Sequence, residues 1–424
     1  MNTIVLKGTL CYSDREATLH SRKNAYLVCK DGISLGVFDT LPEEYTEAPL
    51  YDFGEKLILP GMVDLHIHAP QYSYRGLGMD RELIRWLNDY TFPEESKFSS
   101  LAYAKEAYDL FADGMRRSAT TRACIFATVH RAATEYLMDA MENSGLVTYV
   151  GKVNMDRNAP APLCEESAEV SARETVAWLD AVAGRYQRTL PILTPRFIPS
   201  CSDPLMEELG RIRARYGLPV QSHLSENLKE IAWVRELVPT AAHYGDAYDR
   251  FGLFGREAKT VMAHCVWSPD EEIDRMAQNG VFVAHAPASN LNLASGIAPI
   301  RKLLSRGVAV GLATDVAGGH SESMFRAITD AIQVSKMYWR YVDQGATPLT
   351  FAEAFYLATA GGGAFFGKVG SFEAGYEVDA IVLDDTTHPT PLPLSPDARL
   401  ERAVYLGLDA TSIVAKFVQG RRVG

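Results

Sequence analysis

Residues 59–68 read LPGMVDLHIH, an apolar run that ends in His66-Ile67-His68. In an extended strand residues i and i+2 point to the same side. The two imidazoles can therefore face a single metal ion. A bare H-x-H is a weak signal, and two surface histidines are the usual explanation. Its place at the end of an apolar strand gives it weight.

Seven more apolar, strand-like runs follow, at 121–128, 147–153, 191–196, 219–222, 260–263, 280–284 and 309–313. Helical patterns separate them, among them AYAKEAYDLFADGMRR, SARETVAWLDAVAGRY, DPLMEELGRIRARYG and DEEIDRMAQNG. Strands alternating with helices point to a parallel α/β architecture. The runs alternate little between polar and apolar, as expected of strands buried on both faces. Eight such units over 59–369 predict a (β/α)8 barrel, with a doubly wound open sheet as the alternative. No G-x-G-x-x-G follows a strand and no G-x-x-x-x-G-K-[ST] occurs, so nothing supports binding of nucleotide phosphates.

The polar residues gather where the runs stop. The fifth run, PVQS, ends in His223, with Glu226 shortly after. The sixth, TVMA, ends in His264, and the eighth, VGLAT, ends in Asp315. In a barrel these C-terminal strand ends converge on one mouth, where the chemistry of such enzymes is done. Packing alone does not account for that coincidence. His66, His68, His223 and Asp315 form a ligand set suited to zinc or iron. A cation with these ligands and an open position brings the pKa of water towards neutral. Asp315 is then placed to take the water's proton and His264 to orient the water. Glu226 is too displaced to be an obvious ligand and is free for acid–base work on a substrate. The histidines at 20, 130, 243, 285, 320 and 388 receive ordinary structural readings, with His285 kept only as a rim residue.

Composition narrows the partners. Forty-two basic residues face 53 acidic ones, net −11. Such a chain has no electrostatic reason to bind nucleic acid or an anionic membrane. A small molecule or a second copy of the chain is the expected partner. No apolar run reaches the ~18 residues that span a bilayer, and the start lacks the pattern of a signal peptide. A cytoplasmic location is expected. The six cysteines include no C-x-x-C, which predicts buried free thiols and excludes the small zinc deaminases built on H-x-E and P-C-x-x-C. Both chain ends are β-patterned and punctuated by glycine. They are expected to pair into one composite β-domain, 1–58 plus 370–424.

With these residues in place, the chain resembles the amidohydrolase superfamily through PGMVDLHIH, QSHLSEN, MAHC and GLATD. Within it, the sequence is similar to the guanine deaminase family through HIHAPQYSYRGLGMDRELIRWLNDYTFPEESKF, TPRF, APASNLNLASG and GLATDVAGG, from about Phe53 to about Asp384. The resemblance implies one zinc ion per subunit, held by His66, His68, His223 and Asp315, with iron left open. It implies Glu226 as proton shuttle and Gln71, Arg196 and Phe197 as substrate-binding residues beside His223. Alone, these three have plain explanations: a turn cap, a salt bridge and core packing. Dinuclear relatives carry a lysine at the end of the fourth strand. Here PILTPRF supplies Arg196 and Phe197 instead, and arginine stays protonated, which favours a single-metal deaminase. Pro70 and His320 depart from the family pattern near the mouth and are expected to bear on substrate choice. The expected reaction is deamination of guanine to xanthine and ammonia. The alternative is a related heterocycle: an oxidised purine, a pterin, a triazine or cytosine. The resemblance further implies a homodimer. Trp86 and Tyr90, at i and i+4, lie in a segment expected to form a lid or an interface.

Overall fold

The computed structural model describes residues 3–424 and has a mixed α/β architecture. Seven of the expected central strands form where the runs lie, and the fourth is displaced: the sheet strand ends at Pro191, where the run was expected to begin, and Thr194–Pro195 pairs separately with Val153–Asn154. Met62–His68, Thr120–Phe126, Val147–Gly151 and Thr189–Pro191 make one four-stranded parallel sheet. Val220–Leu224, Thr260–His264, Phe282–His285 and Ala309–Leu312 make a second, also parallel.

Backbone hydrogen bonds join the two sheets at both seams. Leu193 donates to the Pro219 carbonyl at 2.9 Å and accepts from Gln221 at 3.0 Å. At the other seam Asp315 N–H donates to the His66 carbonyl at 2.9 Å, and His68 N–H to the Val316 carbonyl at 3.0 Å. The buried carboxylate of Asp64 reinforces that seam, accepting from the Thr314 amide at 3.1 Å and the Thr314 hydroxyl at 2.5 Å. One apolar cluster draws Val63, Leu65, Cys124, Val261, Ala263 and Ala284 from strands of both sheets, with Ile192 and Ala313 just past two strand ends. A larger one packs the strands against the helices.

The four helical patterns named above fold as Leu101–Arg117, Ala168–Val182, Asp203–Tyr216 and Asp270–Asn279. The first three start on a capping serine, Ser100, Ser167 or Ser202, and the last two end on a left-handed glycine, Gly217 or Gly280. Those are the stop signals their sequences carry.

The chain ends share a seven-stranded sheet. Its order runs Arg421–Arg422, Ile413–Val418, Ala380–Leu383, Leu50–Pro60, Thr3–Ser13, Leu19–Lys30, Ile33–Phe38. It has its own apolar cluster, including Leu6, Leu27, Ile58, Val382 and Phe417. Its strand Leu19–Lys30 is carried across Asn24 in a left-handed conformation. One detail differs from the sequence reading. Between the last strands lies a helix, Pro396–Tyr405, with Ser395 capping it and Leu400, Ala403 and Val404 facing inward. All six cysteines are free, and no helix among the described residues is long and apolar enough to cross a membrane.

Candidate active site

The strand ends bring the expected residues together. His66 Nε2 lies 3.2 Å from His68 Nε2, and His68 Nε2 lies 3.3 Å from His223 Nε2. Asp315 Oδ1 is 3.1 Å from His66 Nε2 and 3.3 Å from His68 Nε2. His66, His68 and Asp315 thus gather three donor atoms, with His223 3.3 Å from one of them. Donors at ~2.0–2.1 Å around zinc stand about 3.3 Å apart in a tetrahedron, and the four distances given are of that size.

The protonation states fit as well. His223 Nδ1 is 2.6 Å from the Arg196 carbonyl, which can only accept. The proton must therefore sit on Nδ1, and Nε2 presents its lone pair to the cluster, as a metal ligand does. Burial lowers the pKa of His66, His68 and His223, the second to about 4, so the rings are neutral. Burial opposes ionisation of Asp315, yet the imidazoles of His66, His68 and His264 outweigh it and hold the carboxyl well below the usual range. Neutral imidazoles and an ionised carboxylate are what a cation requires.

Backbone geometry aims these groups. His264, Cys265, Ser225 and Asp315 all adopt left-handed φ values, between 48° and 75°. Non-glycine residues adopt this region uncommonly, and four of the eleven that do so among the described residues lie at or just past these strand ends. The turn after Asp315 needs glycine: a Cβ on Gly319 would stand 1.8 Å from the Thr314 carbonyl oxygen.

Glu226 lies beside the cluster, not in it. Its Oε2 is 3.5 Å from His264 Nε2, and its Oε1 accepts from the Ser295 hydroxyl at 2.8 Å. Burial and the charge of Asp315 push its carboxyl up to about 8. His264 Nε2 also stands 3.9 Å from Asp315 Oδ2, and its Nδ1 pairs with Asn290 Oδ1 at 2.9 Å. His66, His223 and His264 make a second possible set of metal-holding donors.

A cavity opens beside these groups, lined by His68, Gln71, Leu83, Trp86, Leu87, Arg196, Phe197, His223, Glu226, Glu230, His264, Leu293, Asp315 and Gly318. Arg196 and Gln71 line it, but neither is free. The Arg196 guanidinium grips Glu95 through two bonds, at 2.5 and 3.1 Å. Gln71 donates to the same carboxylate at 2.9 Å. Phe197 meets Trp233 edge to face at 6.3 Å.

The segment carrying Trp86 winds as a short helix, Leu83–Trp86, a π-helical turn, Leu87–Thr91, and a second helix, Phe92–Glu95. Leu83, Trp86 and Leu87 line the cavity from it. The Leu83 amide bonds the Leu293 carbonyl at 3.3 Å, and Lys229 pairs with Glu82. Pro70 is buried at the start of the turn Ala69–Tyr74 and leaves Gln71 facing the cavity. His320 does not line the cavity; its ring sits 3.1 Å from the Asn292 amide. His285 is buried and not on the rim, because the chain enters the helix Pro287–Asn292 directly above it. Sequence reasoning passed over Glu95, Glu230, Asn290 and Asp64. Glu95, Asp64 and Asn290 lie inside motifs quoted above, but their partners are distant in sequence.

Comparison with known proteins agrees with this geometry. The amidohydrolase family profile matches residues 57–423. The guanine deaminase of Dictyostelium discoideum is 37% identical over 380 residues, covering 88% of this chain and 83% of its own. That of Homo sapiens is 38% identical over 395 residues, covering 90% and 85%. The crystal structure of guanine deaminase from C. acetobutylicum, with guanine bound in its active site, superposes with a TM-score of 0.96 at 44% identity, covering all of both chains. A match from residue 57 to residue 423, with His and Asp donors gathered at the strand ends, means that this chain belongs to the amidohydrolase family.

Proposed function

We propose that this protein is a guanine aminohydrolase, converting guanine and water to xanthine and ammonia. The observation that carries this reading is the whole-length likeness to a guanine deaminase holding guanine. The cavity supports it, because Arg196 and Gln71 line it together with His68, His223 and Asp315. The central strands are read as one (β/α)8 barrel, 59–369, supported by the backbone bonds at both seams. The ends, 1–58 plus 370–424, are read as a separate β-domain, supported by their common sheet and its own apolar cluster.

His66, His68, His223 and Asp315 would hold one zinc ion. Bound there, it supplies Lewis acidity that brings water's pKa towards neutral. The remaining work belongs to the chain. Arg196 and Gln71 direct N–H groups at the ring oxygen on C6, and Phe197 offers an aromatic face. Asp315 accepts a proton from the attacking water, with His264 orienting it. As water's oxygen bonds to C2, Glu226 gives a proton to N3. Asp315 passes its proton to Glu226, which gives it to the amine; the C2–N bond breaks, ammonia leaves, and the hydroxyl on C2 returns its proton to Glu226 as the C2 carbonyl forms. A carboxyl raised to about 8 by burial both holds and releases a proton near neutrality.

The test is loss of guanine absorbance with parallel release of ammonia by zinc-loaded protein. Turnover of guanine far above adenine, cytosine and a pterin is expected. A zinc-loaded protein inert on guanine, or faster on another member of that panel, would overturn the substrate assignment.

A further inference from the structure

Glu95 ends the helix Phe92–Glu95 and is only 1% exposed, yet it does not line the cavity. Three bonds converge on its carboxylate. Arg196 Nη1 donates to Oε2 at 2.5 Å and Nη2 to Oε1 at 3.1 Å. Gln71 Nε2 donates to Oε1 at 2.9 Å. The other end of the Gln71 amide is also committed, since its Oε1 accepts from the Ala317 amide at 3.1 Å.

This arrangement removes a freedom that glutamine ordinarily has. A free glutamine flips to offer either a donor or an acceptor. Flipped here, the Gln71 carbonyl would face the Glu95 carboxylate, and its NH2 would face the Ala317 N–H. Both contacts would be repulsive in a buried site, where an unmet or clashing polar group costs most. Gln71 keeps its second Nε2 hydrogen and one Oε1 lone pair, and the Glu95 and Ala317 bonds fix which end of the amide each occupies. Arg196 carries five N–H donors and no acceptor. Two are spent on Glu95, and the rest are available to a ligand. Arg196 can therefore only donate, Gln71 keeps a donor held in a fixed orientation, and one carboxylate sets both.

We propose that Glu95, acting through Arg196 and Gln71, is the positioning residue that makes the cavity select a ring bearing an oxygen over one bearing an amino group at the position they face. The inference rests on the aminohydrolase reading above and deepens it. A ring oxygen accepts from both residues at once. An amino group there brings hydrogens against hydrogens and leaves buried donors without acceptors. Sites that hydrogen-bond a substrate group reject analogues lacking it by on the order of 10⁴-fold. Glu95 also comes from the segment whose Leu83, Trp86 and Leu87 cover the cavity, so the recognition set is complete only when that segment is seated.

Guanine, 2-aminopurine and 2,6-diaminopurine test this, because all carry the amine at C2 and bear O, H or NH2 at C6, with 2-aminopurine and 2,6-diaminopurine sharing an N1 without hydrogen and so controlling for the N1–H of guanine. They are compared on zinc-loaded wild type, Glu95→Gln and Glu95→Asp. Wild type is expected to favour guanine over 2,6-diaminopurine by on the order of 10⁴ in kcat/KM. In Glu95→Gln that ratio should fall at least about 100-fold, mostly through a rise in KM for guanine, as lost binding predicts. Glu95→Asp keeps the charge and should restore part of the ratio. It also stands in for the glutamine variant if that one does not fold. A parallel fall on all three purines, with the ratio unchanged, would reduce Glu95 to a structural counter-ion and overturn the proposal. If wild type turns over none of the three, the guanine reading fails instead. The same ratios are then taken from the purines' binding constants, judged by the same criterion.

Discussion

His223 shows how much one side chain settles. Its Nδ1 bond to the Arg196 carbonyl leaves Nε2 as the free lone pair and turns it towards His68 Nε2. Glu226, beside it, has one oxygen on Ser295 and the other near His264. Glu226→Gln keeps the shape and the Ser295 bond but loses the transferable proton. The variant should bind zinc as wild type does and lose about 10²–10⁴-fold in kcat. Metal analysis and steady-state kinetics check both halves, and near-native kcat would remove Glu226 from proton transfer. Residues of this kind were legible in the sequence, because each of His66, His68, His223, His264 and Asp315 closes or follows an apolar run. Glu95 was not. Its partners Gln71 and Arg196 lie 24 and 101 positions away, and no periodicity records which distant charge a buried carboxylate will meet. Asn290 was hidden likewise, since its role depends on reaching His264 across the site.

At the scale of elements, the central strands were legible because burial on both faces leaves an unbroken apolar run, and the helices because their caps are written in serine and glycine. The terminal unit was harder. Its β-strands were visible, but the helix Pro396–Tyr405 follows a proline-rich stretch and was absorbed into the β reading. The strand Ile413–Val418 carries a lysine that an edge reading would leave in water. Instead Lys416 is 1% exposed. Its Nζ donates to the Met115 carbonyl at 3.1 Å and the Thr120 carbonyl at 2.9 Å, tying this strand to the end of one helix and the start of a central strand. Burial brings its pKa down from 10.5 to about 7. Between those values the unfolded chain holds a proton that the folded chain has released. The unfolded state thus binds more protons, and stability from this group rises with pH by at most about 1.4 kcal/mol per unit. Below pH 7 both states are charged and the dependence vanishes. Lys416→Met lacks the group. Tm of wild type relative to that variant should therefore be flat below pH 6 and climb from pH 7 to pH 10. A difference that stays constant over that upper range would mean Lys416 is not buried as described.

For the whole molecule, the proposed ligand set ties together parts of the chain that are far apart in sequence. His66 and His68 end the first central strand, His223 lies on the fifth, and Asp315 follows the eighth. The seam between first and eighth strands already carries the Asp64–Thr314 bonds and two backbone bonds. An ion bound at this point exists only in the folded chain, since unfolding scatters its donors. It stabilises by mass action, about 4 kcal/mol when free zinc stands at 1,000 times its dissociation constant. A chain of this length has a large unfolding entropy, so that energy corresponds to roughly 5 °C in Tm. Chelation should lower Tm by that order and zinc should restore it. The shift should vanish in His66→Ala/His68→Ala and persist in Glu226→Gln, which keeps all four donors. The cysteines offer a control, because all six are free and five are buried, leaving a thiol-based site as the rival source of a zinc response. If the double histidine variant still gained stability from zinc, the ion would sit elsewhere and the four-donor assignment would fall. If Glu226→Gln lost the response, Glu226 would be a ligand and not a proton carrier, and the division of labour within the site would have to be redrawn.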